Sequence, residues 1–136
     1  VVLEGTIRTL NNEIRAEVPK KMETLAKGIA ESYGGHVKFI YLPAYPVLVN
    51  NPEVTDIAYR AASKFLNEDQ ITFLEQPDMG GEDFAYIAQA VPSTFMYVGI
   101  MEDKPISHHH PDFHFEDKHL KVLSQLLVQC VLEANQ

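Results

Sequence analysis

Apolar residues recur along this chain with two periods, and the change from one to the other marks its elements. Ile14, Val18, Met22, Leu25 and Ile29 fall at helical spacing and predict one apolar face of a helix from about Ile14 or Glu17 to Tyr33. Pro19 would break a helix interior, so it is expected in the first turn. Gly34-Gly35 is a good stop, because glycine accepts the left-handed conformation beyond a helix end. Before this helix, Val1 to Leu10 reads as a strand, with Val1, Leu3 and Ile7 apolar and Thr6 and Thr9 suited to a pleated surface. After it, Val37, Phe39 and Tyr41 alternate with His36, Lys38 and Ile40, as in a half-buried strand. The first unit is therefore expected to be β-α-β.

Pro43 to Asn51, with two prolines and two asparagines, reads as a linker and domain boundary. Asn51-Pro52 is a helix start, with Asn51 as cap and Pro52 in the first helical position. Val54, Ile57, Ala61 and Phe65 supply the buried face of the helix that follows. Ile71 to Leu74 is a short expected strand, Pro77 to Gly81 a loop, and Glu82 to Ala90 a short helix closed by Pro92. Thr94 to Gly99 is a second strand, and Ile100 to Asp112 a loop rich in His and Pro. Leu120, Leu123, Leu127, Cys130, Val131 and Ala134 line one side of a final helix. The second unit reads α-β-α-β-α, so the fold class is α/β.

Composition narrows the function. Hydrophobic residues at 46% and charged residues at 22% are ordinary for a soluble globular protein. No run approaches the roughly 18 apolar residues that span a membrane, and no signal-peptide pattern opens the chain. The net charge of −8 disfavours nucleic acid, whose phosphates are bound mainly by Lys and Arg. Cys130 is the single cysteine, so no internal disulfide forms, and a reducing, cytoplasmic location is expected. The chain opens inside an expected strand with no initiator Met, and we expect it to be part of a longer protein.

Two segments carry candidate chemistry. Met79-Gly80-Gly81-Glu82-Asp83-Phe84-Ala85 is a glycine turn opening into a helix. Bare backbone N–H groups there would receive a carboxylate or phosphate; alternatively the glycines only make a tight turn, with Glu82 and Asp83 placed well in the helix dipole. Consecutive helical carboxylates diverge, so Glu82 and Asp83 cannot easily serve one centre. His108-His109-His110-Pro111-Asp112-Phe113 is a histidine cluster stiffened by proline. Imidazole ligates zinc and similar ions, but neighbouring side chains on an extended loop point apart, so at most one or two would face one ion. A solvated polar loop is the plain alternative. No serine carries a nucleophile motif and no phosphate-binding Gly-x-x-x-x-Gly-Lys is present.

With these segments in order, the chain resembles the dinuclear-metal aminoacylases and carboxypeptidases. Within them it is most similar to the branch of hippurate hydrolase, N-acyl-amino-acid amidohydrolases and auxin-conjugate hydrolases. The matching pieces are Leu3-Glu4-Gly5-Thr6-Ile7-Arg8-Thr9, Tyr45-Pro46 with Asn50, Met79 to Ala85, the His-x-Pro segment, and Phe113 to Asp117. The resemblance implies hydrolysis of the amide bond of N-acyl amino acids or small peptides by two divalent ions (zinc, manganese, cobalt or nickel) bridged by water. It implies His109, two residues before Pro111, as the one metal ligand this chain supplies, and Gly80 and Gly81 beside the substrate carboxylate. It assigns no catalytic residue here.

It also implies that residues 1–44 are a partial ferredoxin-like lid and dimerisation domain, and 45–136 the C-terminal part of the catalytic domain. The family's other ligands and its glutamate base have no counterpart in this sequence. The chain alone is therefore expected to be inactive and to hold no ion tightly. Unpaired lid strands are expected to recruit a second copy, making a homo-oligomer. The competing readings are a non-catalytic binding module on the same scaffold and a metal-storage or sensor protein built on the histidine loop.

Overall fold

The structure is a computed structural model that describes residues 1–100 and 106–136. Part of the expected His- and Pro-rich loop, 101–105, lies outside the described residues. The described residues form α1 (Asn12–Ser32), α2 (Pro52–Ser63), α3 (Phe84–Ala90) and α4 (Lys118–Ala134), with a 3-10 turn at Glu68–Gln70. They divide into two units. One comprises Val1–Val49 and Leu74–Val91, the other Asn50–Phe73 and Pro92–Gln136.

In the first unit, Asn11 caps α1, its side-chain oxygen accepting from the N–H groups of Glu13 and Ile14 at 2.7 and 2.9 Å. The other end closes as the glycine pair predicts. Gly34 takes a φ of 71°. Its N–H donates to the Glu31 carbonyl and that of Gly35 to Ala30, the paired bonds of a Schellman stop. Two expectations for α1 need correction. Pro19 lies inside the helix rather than in its first turn, because Asn11 caps a helix that already begins at Asn12, ahead of both expected starts at Ile14 and Glu17. Proline has no N–H to return to the preceding turn, so one helical bond is missing there, while the ring itself is buried.

The second correction concerns the inward face of α1. Pro19 is buried and Arg15, Glu23, Ala26 and Ala30 are half-buried, whereas Ile14, Met22, Leu25 and Ile29 are exposed. Small side chains and long stems turn toward Phe39 and Tyr41, which line a shallow cavity with Ala16, Pro19, Lys20 and Glu23. Of the predicted apolar stripe only Val18 is half-buried; the rest looks outward, with Leu25 64% and Ile29 62% exposed.

The expected α/β character is not met as strands: none is formed among the described residues. The sequence signal is still visible in part, since Phe39 and Tyr41 are half-buried between exposed neighbours. A ladder, however, needs a neighbouring backbone to exchange N–H and C=O bonds with. No series of such bonds joins the segments 1–10, 36–41, 71–74 or 94–99 to one another. Where the backbone of 94–99 is held, side chains do part of the work. Asn50 Oδ1 accepts the Phe95 N–H at 2.8 Å while Asn50 Nδ2 donates to the Phe95 carbonyl at 3.0 Å. Next to it the Asn51 N–H donates to the Ser93 carbonyl at 2.8 Å, and the Thr55 and Thr94 hydroxyls share a 2.9 Å bond.

In the second unit α2 packs on α4. The start is as predicted: Asn51 caps through its side-chain oxygen to the Val54 N–H at 3.1 Å, and Pro52 opens the helix. Ala58, Ala61 and Ala62 are buried, Val54, Ile57 and Phe65 half-buried. Alanines keep the contact surface small-featured, which lets two helices approach closely. From α4 comes Leu126, buried, with Val122, Leu123 and Cys130 half-buried. Burial pushes the Cys130 thiol up, toward the inert neutral form. Of the predicted α4 stripe, Leu120, Leu127 and Val131 instead remain exposed. The helix is apolar on more than one side, and α2 covers only one of them.

At the end of α4, Glu133 fastens the pair. Its side chain is only 8% exposed; Oε1 accepts from Arg60 Nε at 2.7 Å, and Oε2 is paired with Lys64 Nζ. The hydrogen bonds from Lys64 and Arg60 hold the Glu133 carboxyl below its ordinary pKa of 4.5. A carboxyl whose folded pKa is depressed contributes stability above its unfolded value and loses it as pH falls through the folded one. The second unit should therefore lose stability as pH drops below about 4.5. Chemical denaturation at pH 7 and at pH 3 should show this fall, and Glu133→Gln should be less stable than the parent at pH 7 but lose less between the two.

Candidate functional site

The glycine turn belongs to the first unit. Its conformation is set by Asp78, whose Oδ1 accepts the Gly80 N–H at 2.7 Å, an Asx-type local closure. Glu82 Oε1 accepts the Phe84 N–H at 3.1 Å. The helix after the turn begins at Phe84, not at Glu82, and is seven residues long. The expected row of bare amides directly after the glycines is thus corrected. Gly80 has spent its N–H on Asp78, Phe84 is capped by Glu82, and Glu82 and Asp83 both precede the helix. What remains is Gly81, exposed, with an N–H that donates to no acceptor among the described residues.

The residue that gives this turn its electrostatic character is Arg8, for which the residue patterns alone gave no role. Its Nη1 donates to the Met79 carbonyl at 3.0 Å across 71 positions of sequence. A Cβ placed on Gly81 would lie 3.6 Å from the same Nη1 and 3.3 Å from Tyr45 Cδ2. Glycine at 81 therefore leaves room for the guanidinium and the ring beside the backbone. Among the described residues no carboxylate pairs with Arg8, in a chain carrying 19 acidic residues. A guanidinium has five N–H donors in a planar fork. One is committed to Met79, and the rest, with the Gly81 N–H, form an arrangement suited to a carboxylate. The available signal was Gly-Thr-Ile-Arg-Thr itself, but nothing in its spacing ties Arg8 to a turn so distant in sequence.

Tyr45 is positioned from both sides of the turn's unit. Its ring meets Tyr86 of α3 edge-on, with centroids 6.2 Å apart and planes at 76°. The carbonyl of Ala44, in the peptide just before it, accepts from Arg15 Nη2 at 2.6 Å and Tyr86 Oη at 3.2 Å. Asn12 Oδ1 accepts the Val47 N–H at 3.0 Å just beyond. Tyr45 is therefore held in place while 47% exposed.

The histidine segment belongs to the second unit. His110 Nδ1 accepts the Asp112 N–H at 3.1 Å, and His114 Nδ1 lies 3.0 Å from the Asp112 carbonyl, to which it can donate. Both rings are thereby engaged in shaping the loop. His109 is different. Its ring is exposed, makes no hydrogen bond among the described residues, and stands edge-on to His108 at 4.8 Å. Its φ of 72° is the one non-glycine value in the left-handed region among the described residues. That conformation costs about 1–2 kcal/mol for a residue with a Cβ. A metal centre of the zinc type takes about three or four protein donors. Among the described residues no three His, Cys, Asp or Glu side chains gather to hold an ion. The described residues do not compose a metal centre by themselves.

Comparison with known proteins identifies the family. Residues 2–133 match the model of Peptidase family M20/M25/M40. A Bacillus subtilis (strain 168) protein described as an amidohydrolase, YhaA, is 33% identical over 138 residues, which is 99% of this chain and 35% of that protein. N-acetylcysteine deacetylase of the same organism is 33% identical over 127 residues, covering 93% of this chain and 32% of the relative. A crystal structure described as an aminohydrolase from methicillin resistant Staphylococcus aureus matches with a TM-score of 0.68 and 32% identity, over 91% of this chain and 32% of that one. The chain thus spans about a third of the length of these relatives. With the family match running over nearly all of its residues, the chain belongs to peptidase family M20/M25/M40, a family of hydrolases.

Proposed function

We propose that this chain is the C-terminal part of a metal-dependent amidohydrolase that cleaves the amide bond of N-acyl amino acids or small peptides. The observation that carries the reading is the Arg8 guanidinium, which has no acidic partner among the described residues, set beside a Gly81 N–H that donates to none of them. An N-acyl amino acid ends in a free carboxylate, and this pair of donors matches its charge and its two oxygens. The name of the N-acetylcysteine deacetylase relative supports the same substrate class. Gly80 then acts through Asp78 to shape the turn, and Gly81 is the contact.

Members of the family generally use divalent metals. In our reading His109 supplies one ligand to such an ion (zinc, manganese, cobalt or nickel), and the remaining ligands and the general base come from residues outside this chain. Its ring makes no hydrogen bond among the described residues and its backbone is strained, as functional positions often are. The chain alone is then inactive. Residues 1–44 correspond to a lid portion and 45–136 to a catalytic portion of an α/β parent, which works in the cytoplasm. The buried apolar residues among those described are four alanines, Pro19 and Leu126, a small core that suits part of a larger fold.

The complete hydrolase tests this. Arg8→Ala should raise KM for N-acyl amino acids at least tenfold, with a smaller change in kcat; an unchanged KM would remove the carboxylate role. His109→Ala should abolish hydrolysis and lower bound metal measured by atomic absorption. His109→Gly should lose activity equally, yet be more stable than His109→Ala by about 1 kcal/mol, because glycine relieves the left-handed strain.

The outward stripe of α1 supports self-association through the first unit. The chain should show a mass above the monomer by light scattering at high concentration. Leu25→Lys with Ile29→Lys should return it to 15.3 kDa. A strictly monomeric parent would count against the homo-oligomer.

A further inference from the structure

The donors that suit a carboxylate do not stand alone beside Gly81, because the Tyr45 ring borders the same small space. The positions are close enough to matter: 3.3 Å from a Cβ at Gly81 to Tyr45 Cδ2, and 3.6 Å to Arg8 Nη1. Tyr45 is also more fixed than a typical half-exposed tyrosine. Tyr86 packs against it edge-on, and the peptide it follows is gripped at the Ala44 carbonyl by Arg15 from α1 and by Tyr86 from α3. Its hydroxyl makes no hydrogen bond among the described residues, so what it offers the space beside Gly81 is mainly ring surface.

We propose that Tyr45 is a specificity-determining wall for the amino-acid side chain of the substrate. The inference rests on the carboxylate reading of Arg8 and Gly81 above. In an amino acid the side chain leaves the α-carbon, one bond from the carboxylate carbon. Anchoring the carboxylate at Arg8 and Gly81 therefore brings that side chain within reach of the adjoining ring. An aromatic ring rewards apolar and aromatic groups through buried area and edge contacts, and gives nothing to glycine, which has no side chain. The parent should thus prefer N-acyl derivatives of apolar amino acids over those of glycine. Arg15 and Tyr86 act as positioning residues, holding the peptide from which the ring projects.

The test uses the complete hydrolase with N-acetylphenylalanine, N-acetylleucine and N-acetylglycine, comparing kcat/KM among the parent, Tyr45→Ala, Tyr45→Phe and Arg8→Ala. Tyr45→Ala should lower the phenylalanine-to-glycine and leucine-to-glycine ratios about tenfold, with little change for N-acetylglycine itself. Tyr45→Phe, which keeps the ring and drops the hydroxyl, should leave both ratios within about twofold of the parent. Arg8→Ala should lower all three substrates together. A Tyr45→Ala variant that lowers all three substrates by one common factor overturns the specificity role while leaving the carboxylate reading intact. An Arg8→Ala variant equal to the parent overturns the carboxylate reading instead, and with it the geometry on which the Tyr45 proposal stands. Thermal melts of the four proteins identify a loss caused by unfolding; in that case Tyr45→Leu, which keeps bulk without the ring, replaces Tyr45→Ala and should lower the phenylalanine ratio more than the leucine ratio.

Discussion

Phe95 presents both of its backbone groups to a single side chain, the Asn50 amide, which takes the N–H and answers the carbonyl. A strand neighbour would do the same with its main chain. Backbone polar groups removed from water have to be matched, and among the described residues several outside the helices are matched by side chains reaching across long stretches of sequence. Arg8 serves the Met79 carbonyl, Arg15 and Tyr86 serve Ala44, and Asn12 serves Val47. The position of the glycine turn, of Tyr45 and of the segment before α2 all follow from these few bonds. They are more exposed than ladder bonds, and each depends on one residue type that can both reach and donate or accept.

Much of the helical organisation was legible in the sequence because helix ends are local chemistry. Asn51-Pro52 started α2 and Gly34-Gly35 stopped α1, each by a mechanism confined to a few residues. The buried face of α2 was also readable, since its apolar residues lie on the side that meets α4. For α1 and α4 the same reasoning chose a face that only partly overlaps the packed one: Val18 in α1 and Leu123 and Cys130 in α4 are half-buried, while most of the other predicted residues are exposed. An apolar stripe says that a side should be covered; it does not say that the cover lies within the same stretch of chain. In α1 the inward side carries Pro19, alanines and the stems of Arg15 and Glu23, so the hydrophobic pattern pointed away from it. The strands failed for a related reason. Alternation describes one strand, whereas a sheet is a relation between strands, and among the described residues the partners are missing.

The site was legible in halves. Gly80, Gly81 and His109 stood out by residue type and motif order, but their roles separate on inspection. Gly80 is bound to Asp78, while among the described residues the Gly81 N–H meets no acceptor and the His109 ring makes no hydrogen bond, on a backbone in the left-handed region. Arg8 stands in Gly-Thr-Ile-Arg-Thr, but nothing in that segment points to the glycine turn. Only the folded chain brings its guanidinium to the glycine turn, through a bond spanning 71 positions. Tyr45 was visible as part of a motif, yet its neighbours Arg15, Tyr86 and Gly81 come from three separate segments, which no spacing rule links.

The Asn50 bond pattern bears on chemical ageing. Asparagine deamidates when the following backbone nitrogen attacks its side-chain carbonyl to close a succinimide ring. Here that nitrogen, on Asn51, is directed to the Ser93 carbonyl, and the Asn50 amide is pinned by Phe95. Asn51 in turn precedes Pro52, whose ring nitrogen bears no hydrogen and is a poor attacker. Folding thus shields Asn50, and the sequence itself shields Asn51. Conversion of Asn50 to aspartate after an unfolding excursion would set a carboxylate against the Phe95 carbonyl, so a chain damaged while open would refold with that clasp undone.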